Sequence, residues 1–369
     1  MKQILGPALM AGAFHAALLA GYVAAHQGDP SALVCVGHER QGRVPYEFIR
    51  VGFERFGYDG QFYYALARSP WARHVVGIDF AAGRQLRILY PALGWLFTGG
   101  DAHLLLWAMP AINLAAIAGL AALGAWLARR RGLSPWWGCL LPLAVNAGMP
   151  ALRNLTDVLS TLTVAGLLAA WLTQGPPWQL ALWAAAAAFC REQNVAVVGL
   201  VLSACAWRRR WHTCAALAGV LALWAGWVGF LRLAYGVWPF LPASGNFGRP
   251  FAAFVQCLPA SGTPRTTTQT ITHAACLALV AAQMALALYL ARRPGDPVLR
   301  LFLLAAFTLA ALAGTAIYED KWSFTRVLAW LPLAAWLACV EQQRRRLLAL
   351  LALPALIPVG VVVKAWMPY

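Results

Sequence analysis

Apolar runs close to the length of a membrane-crossing helix recur along this chain, and short arginine clusters stand between them. About 20 such residues cross the hydrocarbon of a bilayer, and fewer suffice where the membrane thins or a helix ends in a cavity. The chain is 61% hydrophobic and 11% charged, whereas a soluble domain carries roughly 25% charged residues. Eighteen Trp and ten Tyr suit a protein with two water–lipid interfaces. The expected fold class is therefore all-α: a polytopic transmembrane helical protein, with residues 1–369 forming one integral membrane domain. The net charge of +16 invites a nucleic-acid partner. Its charges lie scattered in short clusters between apolar runs, however, which is the pattern of membrane topology, and no nucleic acid is expected.

Spans are expected near 4–25, 102–128, 134–150, 156–173, 177–190, 195–207, 213–235, 271–291, 299–317, 325–340 and 347–363. The first has Lys2 as its only basic flank and no clear small-x-small site before a soluble domain. It reads as a retained helix, not a removed signal sequence. The third to sixth are short and suit tilted helices whose ends dip towards a polar cavity. Arg129–Arg131, Arg208–Arg210, Arg292-Arg293 with Arg300, and Arg344–Arg346 all occupy short connections. With Lys2 inside, alternation of the spans puts all four clusters on the cytoplasmic side. This parity implies about eleven helices, N-terminus in and C-terminus out. Residues 87–97, which contain Pro91, then form an interfacial or re-entrant piece. Multi-pass placement in a membrane, with the N-terminus cytoplasmic, follows as the expected localisation.

The same alternation puts a first long loop, 26–101, and a second, 236–270, on the outer face. Of the thirteen acidic residues, all but Asp296 and Glu341 fall outside. The inner side offers only basic anchors and the Gln174–Pro177 turn, with no nucleotide-phosphate loop. An activated donor used on the outer face would have to be lipid-linked. Most of the eight Cys lie in or beside apolar runs as small hydrophobes. Cys35 and Cys257 fall in outer loops, where cysteines need not pair. His38, His74 and His103 are too dispersed to argue for zinc.

Phe56–Tyr64 draws most attention within the first loop. Asp59 stands beside Gly60 among aromatics and the amide of Gln61, either as a base just outside the lipid or as an Asp-Gly turn between interfacial aromatics. Phe48, Ile49, Phe53 and Phe56 recur at helical spacing, which predicts a helix over 46–56 lying on the membrane surface. Gly60 would then let the backbone turn and leave room for substrate. Arg153/Asp157, Arg191/Glu192 and Asp320/Arg326 each sit at the outer end of an apolar run. Each is a local salt bridge or part of a site, and with the Asp59 loop they make four acid–base clusters on one face, which favour a site jointly. Arginine, with its permanent charge and bidentate fork, suits a polyprenyl phosphate headgroup. The Ser244–Phe251 segment is equally suited to a carbohydrate-stacking lip and to an irregular loop.

These residues carry a resemblance. Tyr58–Tyr64, Arg87–Pro91, Arg153–Asp157, Arg191-Glu192 and Trp322–Arg326 resemble GT-C-type membrane glycosyltransferases, which use polyprenyl-phosphate sugars. Within that type the chain is most similar to bacterial cell surface glycopolymer formation proteins, which implies placement in a bacterial inner membrane with the site on its periplasmic face. The resemblance implies an inverting sugar transfer from a polyprenyl-phosphate donor to a glycan or lipid acceptor. By it, Asp59 is the catalytic base, and Tyr58, Gln61, Tyr64, Arg87, Arg153, Asp157, Arg191, Glu192, Asp320 and Arg326 are candidates for binding substrate or phosphate. The first loop lacks a clear DxD, so no metal or other cofactor is carried over. No sizeable soluble C-terminal domain is evident, which puts acceptor recognition in the loops. The alternatives are an O-antigen-type polymerase or ligase, a lipid-linked sugar transporter or flippase, and a structural scaffold. Against transport stand the lack of an internal repeat and the scarcity of charge within the spans, Arg232 being the main exception.

Overall fold

The helix Ala102–Arg130 is the longest element and the one around which the others gather. The computed structural model describes residues 2–53, 56–71, 77–240, 245–258 and 267–366. Asp101 caps the helix by accepting the amides of His103 and Leu104, satisfying donors that a helix start leaves open. Against it pack Lys2–Ala25 on one side and Asp157–Leu172 on another. Gly138 makes one of these contacts possible. A Cβ there would lie 2.3 Å from the Ala125 nitrogen, so only glycine lets the 3-10 turn Pro135–Cys139 rest on the long helix.

Among the described residues, six helices are long and apolar enough to cross a membrane: Gln3–Ala25, Ala102–Arg130, Trp211–Tyr235, Gln269–Ala291, Trp322–Glu341 and Arg345–Ala365. Asp157–Leu172, Pro177–Cys190, Asn194–Trp207 and Pro297–Leu312 are apolar but shorter. The protein is thus an all-α membrane protein. Among the described residues the only two-stranded pairing is parallel, with Val36 opposite Gly52 and Gly37 opposite Phe53.

Several expectations are corrected. Residues 134–150 do not form one span. They break into Pro135–Cys139, Leu140–Ala144 and Gly148–Ala151, with Asn146 in the left-handed region at φ 52°. Pro142, Pro150 and the glycines on either side explain the interruptions. The runs 325–340 and 347–363, by contrast, lie within the candidate spans Trp322–Glu341 and Arg345–Ala365. Each has a local break, the first between Lys321–Val327 and Trp330–Glu341 and the second around Leu353–Ala355. The surface helix over 46–56 is absent: the chain makes turns from Tyr46 and enters the strand Gly52–Phe53, while Glu54 and Arg55 lie outside the described residues. Tyr46 and Ile49 are buried and Phe48 is exposed, so the apolar spacing reflects turn residues tucked into a core. Arg232 is in the last turn of Trp211–Tyr235 and donates to the Gly236 carbonyl, which takes its charge to the helix end. Residues 87–97 do hold a short element, Leu89–Thr98, whose 10 residues cannot cross a bilayer. No disulfide joins Cys35 to Cys257.

Side-chain contacts sort the polar connections into two sets. In one, Arg131 grips both oxygens of Glu341 at 2.7 and 2.6 Å. Gln342 reaches the Leu290 carbonyl, Arg208 pairs with Asp296 at 3.3 Å, and Arg210 donates to Gly175. All four arginine clusters and the Gln174–Pro177 turn thereby lie at one end. Asp157–Leu172 links the sets, since Trp171 donates to Asp296 while Asp157 belongs to the other.

Candidate functional site

The second set is a knot of charge drawn from four distant segments. Its frame is the approach of the helix Gly60–Arg68 to the turn before Asp157–Leu172. A Cβ on Gly60 would lie 2.1 Å from the Arg153 carbonyl oxygen and 2.9 Å from that of Val34. The room expected here for substrate is filled by the protein's own backbone, a correction to the reading of Gly60. Asp59 stands at the cap position of this helix, yet its side chain caps nothing. Its carboxylate is turned to arginines instead.

Each oxygen of Asp59 holds one guanidinium: Arg84 at 3.1 Å and Arg326 at 2.8 Å. Arg84 also grips Asp79, at 3.0 and 2.9 Å. Arg326 reaches three partners, adding Asp157 at 3.4 Å and the Tyr58 hydroxyl at 3.2 Å. Arg191 donates to the other oxygen of Asp157. Asp157 opens its helix and Arg191 follows the end of Pro177–Cys190, so each charge suits the helix dipole beside it. Arg87 clamps Glu192 with two bonds of 2.8 and 2.6 Å and donates to the Tyr63 hydroxyl at 3.1 Å.

Depth divides the knot. Asp157, Arg191 and Arg326 are buried and form its floor, while Asp59, Arg84, Arg87 and Glu192 keep part of their side chains exposed. Arg153 is set apart. Its guanidinium lies 5.0 Å over the Tyr58 ring, one nitrogen is 3.4 Å from the Cys35 sulfur, and Nε has no partner. Among the described residues no carboxylate pairs with it. Arg326 sits 5.1 Å from the same ring, which places two cations on one aromatic.

The electrostatics follow from this geometry. Burial alone would push the Asp59 carboxyl up, but Arg84, Arg326 and Arg87 overcome it and hold the group far below the usual carboxylate range. Glu192 behaves alike: burial raises it, Arg87 and then Arg191 outweigh that, and it settles at about 2. Burial drives the Tyr58 phenol above its ordinary value despite Arg326. A base works best with a pKa near the working pH and a lone pair within reach of the proton. With both oxygens engaged, Asp59 as it stands is built to hold two arginines.

The candidate residues divide accordingly. Tyr58, Asp59, Arg87, Arg153, Asp157, Arg191, Glu192, Asp320 and Arg326 come together. Gln61 and Tyr64 do not expose their polar groups there. Gln61 is buried with its amide tying Phe56 to Gly37, and the Tyr64 hydroxyl turns away to the Ala102 carbonyl. Both shape the frame. Arg84 and Tyr63 join the site without having been singled out. Arg84 is one of eight arginines in the first loop, and its spacing of three from Arg87 on a helical stretch was the available signal. Nothing local marks Tyr63. In the second loop, Gly248 and Phe251 donate to Leu312 and Ala311, so this stretch lies along the end of Pro297–Leu312. Ser244 is outside the described residues. No group of three His, Cys, Asp or Glu that could hold a metal occurs among the described residues.

No protein-family model, curated protein or solved structure matches the chain.

Proposed function

We propose that this protein is a membrane glycosyltransferase that moves a sugar from a polyprenyl-phosphate donor to a glycan or lipid acceptor, with inversion. One observation carries the reading: Arg84, Arg87, Arg153, Arg191 and Arg326 converge with Asp59 at one end of an apolar helical body. A departing lipid phosphate gains negative charge as the sugar leaves, and preorganised arginines in a partly dry site stabilise that charge. Arg153, which pairs with no carboxylate among the described residues, is suited to the headgroup. A second observation supports the membrane arrangement. The arginine-rich connections gather at the end opposite the knot, which under the positive-inside rule makes that end cytoplasmic and the knot periplasmic. The six long helices, the four shorter apolar ones and the broken run 134–150, counted together, make about eleven crossings in this reading, and the setting is a bacterial inner membrane.

The test is sugar transfer by the reconstituted full chain, offered a panel of labelled polyprenyl-phosphate monosaccharides, wild type beside Asp59→Asn. Wild type is expected to consume a donor. Asp59→Asn should lose at least about 100-fold, the scale on which groups acting at a reacting centre register, while still inserting and folding. Consumption of only oligosaccharide donors would move the reading to a polymerase or ligase. Labelled lipid crossing the bilayer without donor consumption would replace it with transport.

A further inference from the structure

The carboxylates of the knot carry unequal arginine loads. Asp59 has a guanidinium on each oxygen, Asp157 is shared by Arg191 and Arg326, Arg87 clamps Glu192, and Arg84 clamps Asp79. Asp320 differs. Among the described residues no arginine nitrogen lies within ion-pair reach of it. One oxygen accepts the Trp322 amide at 3.0 Å and the other accepts the Tyr58 hydroxyl at 3.2 Å. Tyr58 in turn accepts Arg326 Nε at 3.2 Å. A phenol oxygen has two lone pairs and one hydrogen, so a second donor can still approach it. Tyr58 and Asp320 both keep partial exposure, as a group meeting a substrate must.

From this geometry we propose that Tyr58 and Asp320 form the proton relay of the transfer reaction: the acceptor hydroxyl gives its proton to the Tyr58 oxygen, while the Tyr58 hydrogen passes to Asp320. The inference rests on the glycosyl-transfer reading above. The electron pair freed from the acceptor O–H bond forms the new bond to the anomeric carbon. The bond from that carbon to the phosphate oxygen breaks, and its pair leaves on the lipid phosphate. Asp320 then returns its proton to water. Tyr58 touches the acceptor and is the catalytic residue; Asp320 acts through it. Arg153 and Arg326, both against the Tyr58 ring, stabilise negative charge building on its oxygen. Because its phenol is held above its ordinary pKa, Tyr58 conducts the proton without idling as phenolate. Asp59 keeps Arg84 and Arg326 in place for the phosphate.

A nucleophile that needs no deprotonation separates a relay from a structural role. The reconstituted full chain is given the donor that it consumes, with octyl glucoside as hydroxyl acceptor or with azide. Tyr58→Phe and Asp320→Asn should each lower transfer to octyl glucoside about 100-fold or more, while azide adduct forms within about threefold of the wild-type rate. Asp59→Asn should depress both products together. Tyr58→Phe removes a single oxygen and keeps the ring under the two arginines, and the azide product reports folding within the same sample. Loss of both products in Tyr58→Phe and Asp320→Asn would overturn the relay, as would unchanged transfer to octyl glucoside. A variant Asp59→Asn that alone spares azide would move the base to Asp59. If wild type consumes no donor with either acceptor, the glycosyl-transfer reading itself falls and the relay with it.

Discussion

At the residue scale, the site is governed by how each carboxylate shares the available arginines. Glu192 gives the clearest test outside the chemistry. Its pKa is held near 2 because burial, which opposes ionisation, is outweighed by Arg87 and Arg191. A carboxylate lowered on folding stabilises the protein above its unfolded pKa of about 4.3 and loses that contribution as pH falls towards the folded value. The melting temperature in detergent should therefore drop as pH is taken from about 5 to about 3, and Glu192→Gln should flatten that slope. Parallel curves for the two proteins would show that the clamp contributes no net stability. The buried pair below it is stiffer. Asp157 and Arg191 are 3% and 5% exposed, so Asp157→Ala leaves an uncompensated buried charge. We expect a loss of about 3–5 kcal/mol, read from unfolding in detergent.

At the scale of elements, the site depends on how closely one short helix lies on a neighbouring turn. Gly60 starts Gly60–Arg68 against the backbone of Arg153 and Val34. A methyl at this position meets carbonyl oxygens that no rotamer change can move. Gly60→Ala should cost about 1–3 kcal/mol and lower transfer, because Asp59 and Arg153 are both displaced. Gly199→Ala, with open space at its Cβ position, is the control expected to leave both unchanged. The short helices Gly148–Ala151 and Lys321–Val327 act on the same principle: Arg153 follows the first, Asp320 caps the second and Arg326 lies in its last turn, which sets all three beside Tyr58.

At the scale of the whole molecule, the two polar sets at opposite ends predict a topology. Single cysteines at the exposed positions Val44 and Arg209 should react with a membrane-impermeant maleimide from opposite sides of sealed vesicles. Labelling from the same side would mean that the ends do not face opposite compartments. The long helix Ala102–Arg130, with Lys2–Ala25 and Asp157–Leu172 packed on it, is the rigid body on which both polar ends are mounted.

Much of this was legible in the sequence, for a physical reason. Apolar length and arginine placement are local properties, so the membrane class and the opposition of basic anchors to acidic loops follow from the chain alone. The residues of the three candidate pairs were legible too, because charge at the end of an apolar run is costly wherever the rest of the chain lies. Among the described residues, however, none of the three neighbouring pairs is an ion pair that forms: Arg191 holds Asp157, Arg87 holds Glu192 and Arg326 holds Asp59. Tertiary structure decided what no local spacing encodes. It brought Tyr58 to Asp320 and Arg326 across the chain, put two arginines on Asp59, and left Arg153 with no carboxylate partner among the described residues. It also turned Tyr64 into the core and brought Arg84 to the site. Ion pairing inside a protein depends on distance and burial in three dimensions, and residues far apart in the chain acquire both only when the helices pack.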